Sequence, residues 1–93
     1  MQTLTIFHLD RCPYCRKLTQ TYAELCDETP EFRNVPIEWV EESKEPQRAE
    51  AYSYWYVPTI FLGNEKLFET KPSDTAITLK AALKQALETA KSR

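Results

Sequence analysis

The 93 residues predict one α/β domain, spanning 1–93, in which a mixed four-stranded sheet is flanked by helices. Three observations predict it. Short β-branched and aromatic runs are bounded by turn residues, and two long stretches repeat apolar residues every three or four positions. The pair Gly63-Asn64 separates the last two extended runs, as a hairpin turn does.

Residues 3–9 (Thr-Leu-Thr-Ile-Phe-His-Leu) read as a buried first strand. From Pro13 to about Glu28, Leu18, Tyr22 and Leu25 fall at i, i+4 and i+7, which predicts an amphipathic helix with Pro13 in its first turn and Thr29-Pro30 as its end. Residues 34–40 alternate Val35, Ile37 and Trp39 against polar positions, and Pro36, lacking an N–H, assigns them to a sheet edge. A second helix is expected from an N-cap at Ser43 to the break at Pro58, with Ala49, Tyr52 and Trp55 or Tyr56 facing inward. Residues 59–62 and 65–70 form the hairpin, with Leu67 inward. Ser73 is the expected cap of a last helix whose buried stripe is Ala76, Leu79, Leu83, Leu87 and Ala90, with Lys80, Lys84 and Glu88 on the solvated side. The order is therefore β-α-β-α-β-β-α, a parallel pair extended by an antiparallel hairpin.

Composition narrows the function. A net charge of −2 disfavours nucleic acid as the main partner, because phosphate binding needs clustered positive charge. The first residues lack the basic and long apolar regions of a secretory signal, so neither export nor a membrane is expected and a cytoplasmic location is. Three cysteines are too few for a disulfide framework, and two of them form the motif Cys12-Pro13-Tyr14-Cys15.

A disulfide needs α-carbons roughly 4.4 to 6.8 Å apart, a spacing that residues i and i+3 of a first helical turn satisfy. Cys12 stands where strand gives way to helix, so free N–H groups and the positive end of the helix dipole favour its thiolate, and Arg11, Arg16 and Lys17 add positive charge. Cys12 is therefore the expected nucleophile and Cys15 the resolving thiol. The competing reading is half of a zinc site. Zinc wants four ligands, and the chain offers no second C-x-x-C or paired histidine, only Cys26, His8 and carboxylates. Cys26 lies on the same helix about 16 Å beyond Cys15, which suits a core residue. His8 reads as a structural hydrogen-bonding residue and Glu41-Glu42 as a solvated charge pair. Among Tyr52, Tyr54, Trp55 and Tyr56, core filling is the expected role, with walling of a substrate groove as the alternative for one or two of them.

C-P-Y-C after a first strand, then Arg16, and Val57-Pro58-Thr59 opening a later strand, resembles the glutaredoxins and, more broadly, the thioredoxin fold, over essentially the whole chain. The resemblance implies a dithiol-disulfide oxidoreductase that reduces protein disulfides or glutathione mixed disulfides, with Cys12 attacking and Cys15 resolving. It implies a cis peptide at Pro58 beside the active site, and a Val57 backbone that pairs with an extended substrate such as glutathione. Arg11, Tyr14, Val57, Pro58, Ser73 and Asp74 are the expected substrate contacts. No bound cofactor and no metal are expected, glutathione is the expected electron donor, and disulfide-containing proteins and glutathione are the expected partners of a monomer.

The chain departs from the family pattern at Leu9, where many glutaredoxins carry a lysine, and at residues 69–74 (Glu-Thr-Lys-Pro-Ser-Asp), which lack a Gly-Gly pair. Thioredoxins would have tryptophan in place of Arg11 and a buried aspartate in place of Ile6. Two further readings remain: a thioredoxin-type reductant recharged by a flavoprotein reductase, and a module holding zinc or an iron–sulfur cluster.

Overall fold

The computed structural model describes residues 1–93. Its four strands are β1 (Leu4–His8), β2 (Ile37–Glu41), β3 (Thr59–Leu62) and β4 (Glu65–Glu69); its helices are α1 (Pro13–Glu28), α2 (Pro46–Glu50) and α3 (Ala76–Ser92). The sheet order is β2-β1-β3-β4. β1 runs parallel to β2, from Leu4 opposite Ile37 to His8 opposite Glu41, and antiparallel to β3, which pairs antiparallel with β4. The mixed sheet, the element order and the edge position of β2 are those the sequence predicts.

Strand alternation divides the core in two. Leu4 and Ile6 of β1 and Ile60 and Leu62 of β3 face α1 and α3, whose Leu18, Leu25, Leu79, Leu83, Ala86, Leu87 and Ala90 complete the main core. Phe7, Val40 and Phe61 point to the opposite face, where Ala49, Tyr52, Tyr54 and Val57 cover them. Cys26 is buried in the main core and forms no disulfide. Gly63 turns the hairpin at φ +60°, the left-handed region that glycine enters without steric cost. A register shift between Ile60 and Phe61 lets both Leu67 and Phe68 of β4 pack toward the main core, where alternation had selected Leu67 alone.

Four local expectations are corrected. Ser43 does not cap α2: its N–H and hydroxyl both donate to Glu41 Oε1 at 2.7 Å, and Glu45 is the cap residue. α2 ends at Glu50 instead of running to Pro58, so Trp55 and Tyr56 are exposed and not inward. Ser73 does not cap α3, because Thr75 and Thr78 form a reciprocal capping box there: Thr75 Oγ1 accepts the Thr78 N–H and Thr78 Oγ1 accepts the Thr75 N–H. Ala76, in the first turn, is solvent-exposed, and the buried stripe starts at Leu79. A 3-10 turn over Pro30–Asn34 follows α1 and buries Phe32.

Candidate active site

Cys12 is the N-cap of α1. Its backbone is extended (φ −80°, ψ 122°) and Pro13 fills the first helical position, where a missing N–H costs no hydrogen bond. A capping serine or aspartate would offer an oxygen here; Cys12 offers its sulfur, and Sγ accepts the Cys15 N–H at 3.3 Å. The same Sγ donates to the Val57 carbonyl at 3.6 Å. A half-exposed sulfur thus lies between the first turn of α1 and the loop that leads into β3.

Cys15 is one turn further in and only 4% exposed. Its Sγ accepts the Leu9 N–H at 3.4 Å. Burial pushes the Cys15 thiol up to about 12; the hydrogen bond with Cys12 and the charges of Cys12 and Glu42 push the same way, while the Leu9 N–H opposes them. Both cysteines are free thiols. No three His, Cys, Asp or Glu side chains converge in a metal-holding group.

Glu42 is half-buried just past β2, with its N–H donated to His8 O at 3.0 Å and its carboxylate accepting the Tyr54 hydroxyl at 2.5 Å. Burial, and then this carboxylate, hold the Tyr54 phenol well above its ordinary range. Tyr54 in turn stacks on Phe7, ring centroids 5.0 Å apart. No sequence pattern signals this pair, because its members are twelve residues apart across an irregular segment; Glu42 had read as a solvated charge.

The Val57-Pro58 peptide is cis and Pro58 is buried. The preceding loop is fixed by side chains. Glu69 Oε2 accepts the N–H groups of Trp55 and Tyr56 at 2.6 and 2.8 Å, Lys66 bonds to Ser53 O and to Glu69, and Thr59 Oγ1 donates to Tyr56 O. Burial resists the ionisation of Glu69, yet Lys66 and the two N–H groups prevail and hold its carboxyl below the usual range. The Val57 N–H has no partner within the chain.

The other expected contacts are scattered. Arg11 is exposed and in no ion pair, and the Arg16 Nε donates to Asp10 O at 3.3 Å. Tyr14 packs against the main core and donates its hydroxyl to Pro72 O at 3.0 Å. Ser73 is exposed. Asp74, which the resemblance would turn toward a ligand, is buried beneath the turn: its carboxylate accepts from Lys71 N, Thr70 Oγ1 and Thr78 Oγ1 at 2.7, 3.1 and 2.9 Å. No helix is long and apolar enough to cross a membrane.

Comparison with known proteins fits this arrangement. The family model described as thioredoxin matches residues 2–89. A thioredoxin of Methanocaldococcus jannaschii is 27% identical over 74 residues, 80% of this chain and 85% of that protein. Thioredoxin 1 of Thermosipho africanus superposes with a TM-score of 0.60 at 13% identity, covering 96% of this chain and 98% of that one. A point-mutant thioredoxin of Halobacterium salinarum superposes with a TM-score of 0.57 at 22% identity, covering 89% and 72%. At those identities the structural likeness shows the fold alone. The matches name thioredoxin where the sequence motif had suggested glutaredoxin, and the chain belongs to the thioredoxin family.

Proposed function

We propose that the protein is a thiol-disulfide oxidoreductase that reduces disulfides of polypeptides through Cys12 and Cys15. The observation that carries the reading is the Cys12 sulfur: half-exposed, accepting a helix N–H at 3.3 Å and lying 3.6 Å from Val57 O, with a second thiol buried behind it. Negative charge at an N-terminal cap strengthens such a hydrogen bond, so the site suits a sulfur that attacks as thiolate.

The Cys12 thiolate attacks one sulfur of the substrate disulfide, forming a mixed disulfide and expelling the other substrate sulfur, which takes a proton from water. Cys15 then loses its proton and attacks Cys12, closing Cys12–Cys15 and releasing the second substrate thiol. The substrate gains two electrons from the enzyme and two protons, one taken from water in the first step and one matched by the proton that Cys15 gives up in the second. The order of events is built into the site. The Cys12 sulfur helps hold the proton on Cys15, and that contribution disappears once Cys12 is tied up as a neutral mixed disulfide.

Glutathione is the second reading for the electron donor, supported by the C-P-Y-C motif, whereas the family match supports a flavoprotein reductase. Asp74, committed to its own turn, and Leu9, in place of a lysine, leave few groups for the glutathione carboxylates. Recycling assays with glutathione and glutathione reductase against a thioredoxin reductase, both driven by NADPH, decide between donors. Cys12→Ser is expected to abolish reduction of a protein disulfide, and full activity in that variant would overturn the proposal. Cys15→Ser is expected to trap substrate on Cys12 as a mixed disulfide visible by mass.

A further inference from the structure

We infer that Trp55 and Tyr56, on a backbone held from below, form an aromatic platform that selects disulfide substrates carrying an apolar, preferably aromatic, side chain about two residues from the reacting cysteine. The inference rests on the proposed activity and names its substrate class.

Trp55 is 90% exposed and Tyr56 56% exposed, adjacent in a chain that otherwise exposes few large apolar side chains. Their neighbours Tyr52 and Tyr54 are turned into the core against Phe7 and Phe61. The exposure is not that of a loose loop. Both N–H groups are held by the Glu69 carboxylate and Tyr56 O accepts from Thr59, so the backbone is bound from below and the rings are presented outward. The backbone that carries them is therefore already ordered, and binding has only the rotamers of the two rings left to fix.

The position of the platform says what covers it. A disulfide presented to Cys12 must lie against Val57, whose carbonyl is 3.6 Å from the sulfur and whose N–H is unpartnered. A polypeptide pairing with that N–H continues past Tyr56 and Trp55. Two residues of extended chain cover about 7 Å, which brings the second residue from the substrate cysteine over the rings. Lys66, the cation that shares Glu69 with the two N–H groups, is paired with that carboxylate, so the support beneath the rings presents apolar area without a free lysine. The occupant is thus a polypeptide segment with an apolar residue flanking its cysteine.

The test is a single-turnover reaction of the fully reduced protein with two synthetic peptide disulfides that carry either Phe or Gly two residues from the cysteine on each side, quenched by alkylation and read by mass. The wild type should oxidise about tenfold faster with the Phe peptide, and Trp55→Ala should bring the ratio close to one. Trp55 is almost wholly exposed, so its removal leaves the fold intact. Ile77→Ala, which removes an equally exposed apolar side chain on α3, should keep the wild-type ratio. Glu69→Ala should lower the ratio and Glu69→Gln restore part of it, since an amide oxygen still accepts the two N–H groups. Equal wild-type rates with the two peptides, or a ratio unmoved by Trp55→Ala, would overturn the platform while leaving the oxidoreductase reading standing. Oxidation of Cys12→Ser at the wild-type rate would instead remove the activity itself.

Discussion

The two faces of the sheet are built differently. The face covered by α1 and α3 buries a cluster of 14 residues, mostly leucine, isoleucine and alanine, under helices of 16 and 17 residues. The other face buries Phe7, Val40 and Phe61 under one helical turn and two tyrosine rings. Cys12 caps the 16-residue helix of the thick face and Cys15 lies in its first turn; Val57 and Tyr54 pack on the thin one, where Glu42 holds Tyr54 and the exposed Trp55 and Tyr56 lie in the segment between. The proposed function divides in the same way. The sulfurs proposed to react need one geometry and sit on the more thickly packed layer, while the groups proposed to meet substrate or adjust charge sit where little packing has to be disturbed to expose them.

Core truncation gives this contrast its largest measurable effect. Leu83→Ala removes a fully buried side chain of the main core and is expected to cost about 3 kcal/mol by denaturant unfolding. Tyr54→Phe keeps the ring stack on Phe7 and removes only the hydroxyl bond to Glu42, for an expected loss of about 1 kcal/mol given its partial exposure. Comparable losses from the two variants would mean that the thin face is as tightly coupled to the fold as the thick one. A smaller contrast lies at the start of α3. Thr75→Ala should cost about 1 kcal/mol, because it breaks a capping box, whereas Ser73→Ala, at an exposed position with no capping bond, should stay within about 0.5 kcal/mol.

The same division separates what was legible in the sequence from what was not. α1, α3 and the strands beneath them follow from periodicity, since each must bury a continuous stripe and the spacing of Leu18, Leu25, Leu79, Leu83 and Leu87 records it. The placement of Cys12 and Cys15 was legible because it lies in a local spacing on a first helical turn. Residues 51–58 were not. Their conformation is set by Glu69 and Thr59, which join the segment from β4 and β3, and aromatics at 52, 54, 55 and 56 carry no helical or strand period that distinguishes inward from outward. Ser73 lost to Thr75 for a similar reason: Asp74, held by Thr70 and Lys71, closes the turn first and carries the helix start past Ser73. Family membership was legible only to the level of the fold, because C-P-Y-C pointed to one branch and the chain as a whole matches another.

The smallest expected effect joins the two faces through a charge. Cys15 titrates at about 12 against an ordinary 9.0, so its neutral form contributes stability that is complete below pH 9.0 and lost as pH rises toward about 12. Burial is the largest cause and remains in every variant that keeps the fold. Glu42 contributes from across the sheet, and Glu42→Gln removes its negative charge while keeping an oxygen for the Tyr54 hydroxyl. Cys15 then loses its proton at lower pH, and since only the thiolate attacks the mixed disulfide, the rising limb of its resolution should move to lower pH. The readout is the decay of a pre-formed Cys12 mixed disulfide across the alkaline range. The shift should be modest beside the displacement caused by burial, and an unmoved limb, or one moved to higher pH, would show that the carboxylate on the thin face has no hold on the buried thiol of the thick one.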